Sequence, residues 1–119
     1  MLLNEIVLFT QYEKKCIRTA KSFIEQHYLE KISFTDLAFT IGVSKNKLRI
    51  GFNQLTAYSL KEYQVYLRIE KAKILLQESS MAISKIAKKT GFKKSSQFCR
   101  AFKNQVFLTP KEYRFHHIK

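Results

Sequence analysis

Leu37-Ala38-x-x-x-Gly42-Val43 returns in this chain as Ile86-Ala87-x-x-x-Gly91-Phe92. The correspondence continues with Leu48-x-x-x-Phe52 against Phe98-x-x-x-Phe102. It closes with Ser59-Leu60-Lys61-Glu62-Tyr63 against Thr109-Pro110-Lys111-Glu112-Tyr113. One residue is gained between Gly91 and Phe98, so the offset moves from 49 (86 minus 37) to 50 (98 minus 48). Each copy reads as a short helix, a glycine turn, a second helix and a capped third helix. The small Ala lets the first helix of each pair approach the second, and the Gly four residues later turns the chain through a sharp corner. Leu48 and Phe52, one turn apart, hold the second helix to a core and leave its opposite face free.

Working outward, Gln11 to Tyr28 carries apolar residues at Tyr12, Cys16, Ala20, Phe23, Ile24 and Tyr28, a helical stripe. Ser33 with Asp36 resembles a capping box for a helix ending at Gly42. Ser44 caps a helix through Leu55 or Thr56, with Leu48, Phe52 and Leu55 inward. Ser59 and Glu62 open a long helix to Glu78 or Ser79, with Tyr63, Tyr66, Leu67, Ile69, Ala72, Leu75 and Leu76 buried. Ile83 to Thr90 and Ser95 to Val106 repeat the pair, and Thr109-Pro110 opens a last helix. No segment alternates with period 2. The expectation is an all-α fold of about seven helices, with two helix-turn-helix subdomains joined by a long linker helix. Residues 1–10 read as an N-terminal extension or linker remnant, and 11–119 as the folded domain. Its first helix-turn-helix spans about 33–56, the linker helix 59–79, the second helix-turn-helix 82–106 and the C-terminal helix 110–117.

The composition supports a helical, folded chain. Of 119 residues, 45% are hydrophobic, ten are Phe and six are Tyr, with only three Gly and one Pro. Lys and Arg outnumber Asp and Glu by 22 to 9, a formal charge of +13, which calls for a polyanionic partner. Cys16 and Cys99 have no metal-binding spacing, and a reduced, cytoplasmic compartment is the simplest reading. The apolar start, Leu2, Leu3, Ile6 and Phe9, is too short to span a bilayer and lacks a basic flank, so neither membrane nor signal peptide is expected. His116 and His117 have no ligand-like spacing. No catalytic triad, carboxylate pair or phosphate loop is evident, so neither enzymatic activity nor a cofactor is expected.

These motifs carry a family resemblance. Residues 17–114 resemble the DNA-binding domain of the AraC/XylS transcription regulators. The resemblance is most specific over Ile86-Ala87-Lys88-Lys89-Thr90-Gly91-Phe92, Ser95-Ser96-Gln97-Phe98-Cys99-Arg100-Ala101-Phe102-Lys103 and Thr109-Pro110-x-x-Tyr113-Arg114. Arg68-Ile69-x-x-Ala72-x-x-Leu75-Leu76 in the linker helix also fits. The chain departs from the family where Gly is usual, at Phe107 and at Ala57. The resemblance implies two recognition helices in successive major grooves, the partner being double-stranded promoter DNA. It further implies contact with RNA polymerase, activation as the commoner role and, as is usual in the family, a sensor or dimerisation domain elsewhere in the native protein, the alternative being a small stand-alone regulator whose N-terminal helix folds onto its own core. A linker of about eighteen residues, roughly 27 Å, is compatible with grooves about 34 Å apart.

By position, Lys45, Asn46, Arg49 and Ile50 are the base-contact candidates of the first recognition helix. Ser95, Ser96, Gln97, Cys99 and Arg100 are those of the second, where the two serines also suit capping or phosphate bonding. Asn46 suits adenine, Arg49 guanine and Ile50 a thymine methyl, while Arg100 is the best specific reader of the second helix, a phosphate contact being its alternative. Ser44, Lys47, Arg68, Lys93, Lys94 and Lys103 are the candidates for phosphate. The competing reading is a basic helical adaptor that binds RNA or an acidic protein without reading duplex sequence.

Overall fold

The computed structural model describes residues 8–117; Leu2, Leu3 and Ile6 of the expected extension lie outside the described residues. Seven helices succeed one another, with no strand among the described residues: α1 (Gln11–His27), α2 (Phe34–Ile41), α3 (Lys45–Thr56), α4 (Leu60–Glu78), α5 (Ile83–Lys89), α6 (Ser95–Val106) and α7 (Pro110–His116). Among the described residues two compact units result, one of residues 8–27 and 32–63, the other of residues 28–31 and 64–117; the division falls inside α4, after Tyr63.

The internal repeat survives as local geometry. Gly42 caps the end of α2 at φ 94°, and Gly91, at φ 91°, follows the Thr90 cap of α5. There Val43 N donates to Ala38 O at 3.1 Å, and Phe92 N to Ala87 O at 3.0 Å. A side chain at either glycine would be strained by that dihedral. Ser59 and Glu62 cap α4 reciprocally at 2.8 and 3.0 Å, as Thr109 and Glu112 cap α7 at 2.9 and 3.1 Å. Phe52 meets Tyr63 edge-on at 5.5 Å, and Phe102 meets Tyr113 at the same 5.5 Å.

In the first unit α1, α2 and α3 pack on one another. They bury Cys16, Ile17, Ala20, Ile24, Leu37, Ala38, Leu48 and Phe52, with Leu60 and Tyr63 from the start of α4. Two residues of the expected α1 stripe, Tyr12 and Phe23, are exposed, and Ile17 takes the inward place instead. The cause lies in α3, where Gly51 leaves room for Ile17: a Cβ on Gly51 would sit 2.1 Å from Ile17 Cδ1. Leu55, expected inward, is 46% exposed because it stands at the rim of a shallow cavity with Phe9, Lys14, Ile17, Arg18 and Gln54.

The second unit buries Ile69, Ala72, Leu76, Ile86, Ala87, Phe98, Phe102 and Tyr113, and Cys99 packs partly against them. Arg114 donates to Leu76 O and Ser79 O, both at 3.1 Å, and so satisfies carbonyls at the end of α4. His117 stacks on Tyr113 with centroids 4.0 Å apart.

The C-terminal ends of α3 and α6 both lack the glycine that their geometry favours. Ala57 caps α3 at φ 67° and Phe107 caps α6 at φ 68°, both left-handed. Each forgoes about 1–2 kcal/mol of backbone stability. Since Phe107 is 82% exposed, little packing offsets that strain. Phe107→Gly and Ala57→Gly are therefore expected to raise the thermal midpoint by several degrees each, additively, in a calorimetric melt.

Candidate nucleic-acid interface

α3 begins where Ser44 accepts from Lys47 N at 3.1 Å, and it is pinned inward by Leu48, Gly51 and Phe52. α1 lies along one flank, with Glu13 Oε2 2.6 Å from Lys47 Nζ and Ile17 against Gly51. What remains open is the other flank. Lys45, Asn46, Arg49 and Asn53 are all exposed, and Ile50 is half-buried. Asn46, Arg49 and Asn53 stand at i, i+3 and i+7, one stripe of a helix. Asn53 is not among the candidates read from the sequence, although its spacing from Asn46 carries the signal. Within the stripe, Arg49 Nη2 donates to Asn46 Oδ1 at 2.8 Å, so the two side chains form one hydrogen-bonded unit.

α6 is built on Phe98 and Phe102, both fully buried. Ser95, Ser96, Gln97, Arg100, Lys103 and also Asn104 are exposed, and Cys99 is half-buried. Lys94 stands at the N-cap, and neither serine caps: α6 begins without a side-chain cap. Both serines already lie inside the helix, too late in it to reach its free amides. Lys93 and Lys94 are exposed in the turn before it, and Lys88 and Lys89 at the end of α5.

Arg68, expected from the sequence at phosphate, is turned inward onto main-chain carbonyls. It is 7% exposed, and its guanidinium donates to Tyr28 O at 2.7 Å, Glu30 O at 3.0 Å and Gly91 O at 3.1 Å. It also lies over the Phe92 ring at 5.8 Å. One turn earlier, buried Gln64 donates to the same Tyr28 and Glu30 carbonyls at 3.2 and 2.8 Å. A sequence reading that assigns charges to the surface misses this, because the acceptors are main-chain oxygens with no residue code.

Elsewhere the charges are local. The Lys47 ammonium, then the Thr10 amide, hold the Glu13 carboxyl below the usual carboxylate range. Lys21 and the Tyr63 hydroxyl do the same to Glu25. Among the described residues no helix is long and apolar enough to cross a membrane.

Two helix-turn-helix units with exposed polar second helices have counterparts in other proteins. A family model described as a helix-turn-helix domain matches residues 37–115. A solved AraC-type DNA-binding domain protein from Chromobacterium violaceum is 30% identical, with a TM-score of 0.78 over 87% of this chain and 92% of that one. The chain belongs to the AraC-type helix-turn-helix family. It is a DNA-binding domain of the kind carried by transcription regulators. The Msm operon regulatory protein of Streptococcus mutans is 29% identical over 101 residues, 85% of this chain but 36% of that protein. The AraC-type chain thus spans about a third of the length of that relative. The DNA-binding domain of AdpA, solved with a target DNA, shares the fold at a TM-score of 0.76 and 21% identity, covering 84% of this chain and 90% of that one.

Three variants test this AraC-type domain. Arg68→Met removes three hydrogen bonds to main-chain carbonyls and is expected to cost about 2 kcal/mol in denaturant unfolding, while leaving the salt dependence of DNA binding by the folded protein unchanged. Arg49→Ala is expected to cost about 1–3 kcal/mol of binding and to relax selectivity at one base pair. In a cycle with Asn46→Ala the losses are expected to fall short of additivity by about 1 kcal/mol. Fully additive losses would separate the two side chains.

Proposed function

We propose that this chain binds bacterial promoter DNA by inserting α3 and α6 into successive major grooves, and that it activates transcription through contact with RNA polymerase. The observation that carries the reading is the duplication: each unit buries one side of its second helix and exposes polar or basic side chains on the other. Asn46 and Arg49 would read bases from α3, with Lys45 and Ile50 beside them. Arg100 is the main reader on α6, flanked by Ser95, Ser96, Gln97 and Cys99. Ser44, Lys93, Lys94 and Lys103 would contact phosphate, joined by main-chain amides at the helix starts. The DNA complex of AdpA supports a duplex partner. The bacterial cytoplasm, on the nucleoid, is the place of action.

Because the chain covers 36% and 32% of two of its relatives, we assign sensing or dimerisation to a domain elsewhere in the native protein. A single chain with two reading helices does what simpler regulators achieve by pairing two copies.

Selection from random duplexes is expected to return a site of about 17–20 base pairs with two contact blocks about one helical turn apart. Affinity is expected to fall about 10³- to 10⁵-fold between about 50 and 200 mM salt if six to ten phosphates are neutralised. A single short block would overturn the two-groove reading. Binding without duplex preference would favour a basic adaptor instead.

A further inference from the structure

One acidic side chain reaches the first recognition helix from a neighbouring element. Glu13 stands in the first turn of α1, in a reciprocal cap with Thr10. Thr10 N donates to Glu13 Oε1 at 3.0 Å, and Glu13 N donates to Thr10 Oγ1 at 3.0 Å. The cap uses one carboxylate oxygen and aims the other. That second oxygen, Oε2, lies 2.6 Å from Lys47 Nζ. The Glu13 side chain is 17% exposed and the Lys47 side chain 49%, so the carboxylate is the fixed partner and the ammonium the accessible one. Lys47 sits in the first turn of α3, between Asn46 and Leu48.

As a source of fold stability, an ion pair this exposed contributes little. Its effect on a polyanion is larger. A lysine that neutralises a phosphate releases condensed counterions, whereas a lysine already paired with a carboxylate brings no net charge to the backbone. The second half of the chain is built differently. The position matching Lys47 at the offset of 50 is Gln97, which is uncharged, while Lys93 and Lys94 stand exposed in the preceding turn.

We propose that Glu13 is a positioning residue that withholds Lys47 from DNA phosphate, lowering the sequence-independent share of binding made by the first helix-turn-helix. This rests on the reading of α3 as a groove-entering helix. The consequence is a division of labour. α3 depends on the Asn46–Arg49 unit for its hold on DNA, and the lysines around α6 supply the general attraction. A carboxylate beside the backbone also penalises any pose that brings Glu13 close to phosphate, which disfavours misregistered binding.

The test measures binding of a short random-sequence duplex against salt for the unaltered chain, Glu13→Gln, Lys47→Gln and the double variant. Glutamine still caps at the third helical position, so Glu13→Gln keeps the start of α1. It is expected to tighten binding about fivefold to tenfold near 0.1 M salt, and to steepen the slope of log K on log salt by about 0.9. Lys47→Gln alone is expected to leave the slope unchanged, and in the double variant it should abolish the gain. An unchanged slope in Glu13→Gln overturns the proposal. So does a slope about 0.9 shallower in Lys47→Gln alone, a comparison that decides the matter even if Glu13→Gln fails to fold. Failure of the unaltered chain to bind any duplex would instead remove the DNA-binding reading, and is seen before any variant is compared.

Discussion

Taking the Arg68 guanidinium out of water costs several kcal/mol, and the second unit recovers that cost only by meeting it with carbonyl oxygens. Three main-chain acceptors converge on it, from Tyr28, Glu30 and Gly91. This constraint propagates. Gly91 must be glycine for its left-handed φ, and also because a Cβ there would lie 2.8 Å from Arg68 Cζ. The turn between α5 and α6 is thereby fixed at a set distance from α4. The start of α6, with Lys93, Lys94 and Ser95 around it, inherits its position from that contact. Gln64 reinforces the same two carbonyls, so one face of α4 is polar and buried at once.

The duplicated halves differ in instructive ways. Corresponding distances in their turns, capping boxes and aromatic pairs agree closely, 3.1 against 3.0 Å, 2.8 against 2.9 Å and 5.5 Å in both, because these features are local and each is written in a few residues. Their surfaces do not coincide. α3 exposes a hydrogen-bonded Asn46–Arg49 pair and has its neighbouring lysine held by Glu13. α6 exposes Arg100 amid short polar side chains, with lysines before and after it. Hydrogen-bonding groups in fixed relation suit the recognition of base edges, and mobile ammonium groups suit the backbone. This chain therefore presents two chemically distinct faces from one repeated scaffold.

Strain is placed at the ends of both recognition-type helices. A left-handed Ala57 and a left-handed Phe107 stand where glycine would be unstrained. Their conformations hold because the next segment of chain is anchored in each case. Thr56 Oγ1 receives the Tyr58 amide at 3.1 Å, and capping boxes begin α4 and α7 within two residues of the strained positions. The capped helix starts fix where the chain must go, and the preceding residue takes whatever dihedral that route requires.

The helices, the turns and the caps of α2, α3, α4 and α7 were legible in the residues themselves, since helical periodicity, a glycine four residues after a small alanine and a Ser-x-x-Glu box each act over a few positions. The exposed faces of α3 and α6 were legible for the same reason: once Leu48, Phe52, Phe98 and Phe102 point inward, Asn46, Arg49 and Arg100 must point out. Tertiary structure decided the rest. Whether Arg68 meets phosphate or carbonyl, whether Ile17 or Tyr12 faces the core, and which acid approaches Lys47 all depend on segments distant in sequence. Main-chain acceptors and the space left by Gly51 carry no periodic signature, so only packing could assign those side chains their partners.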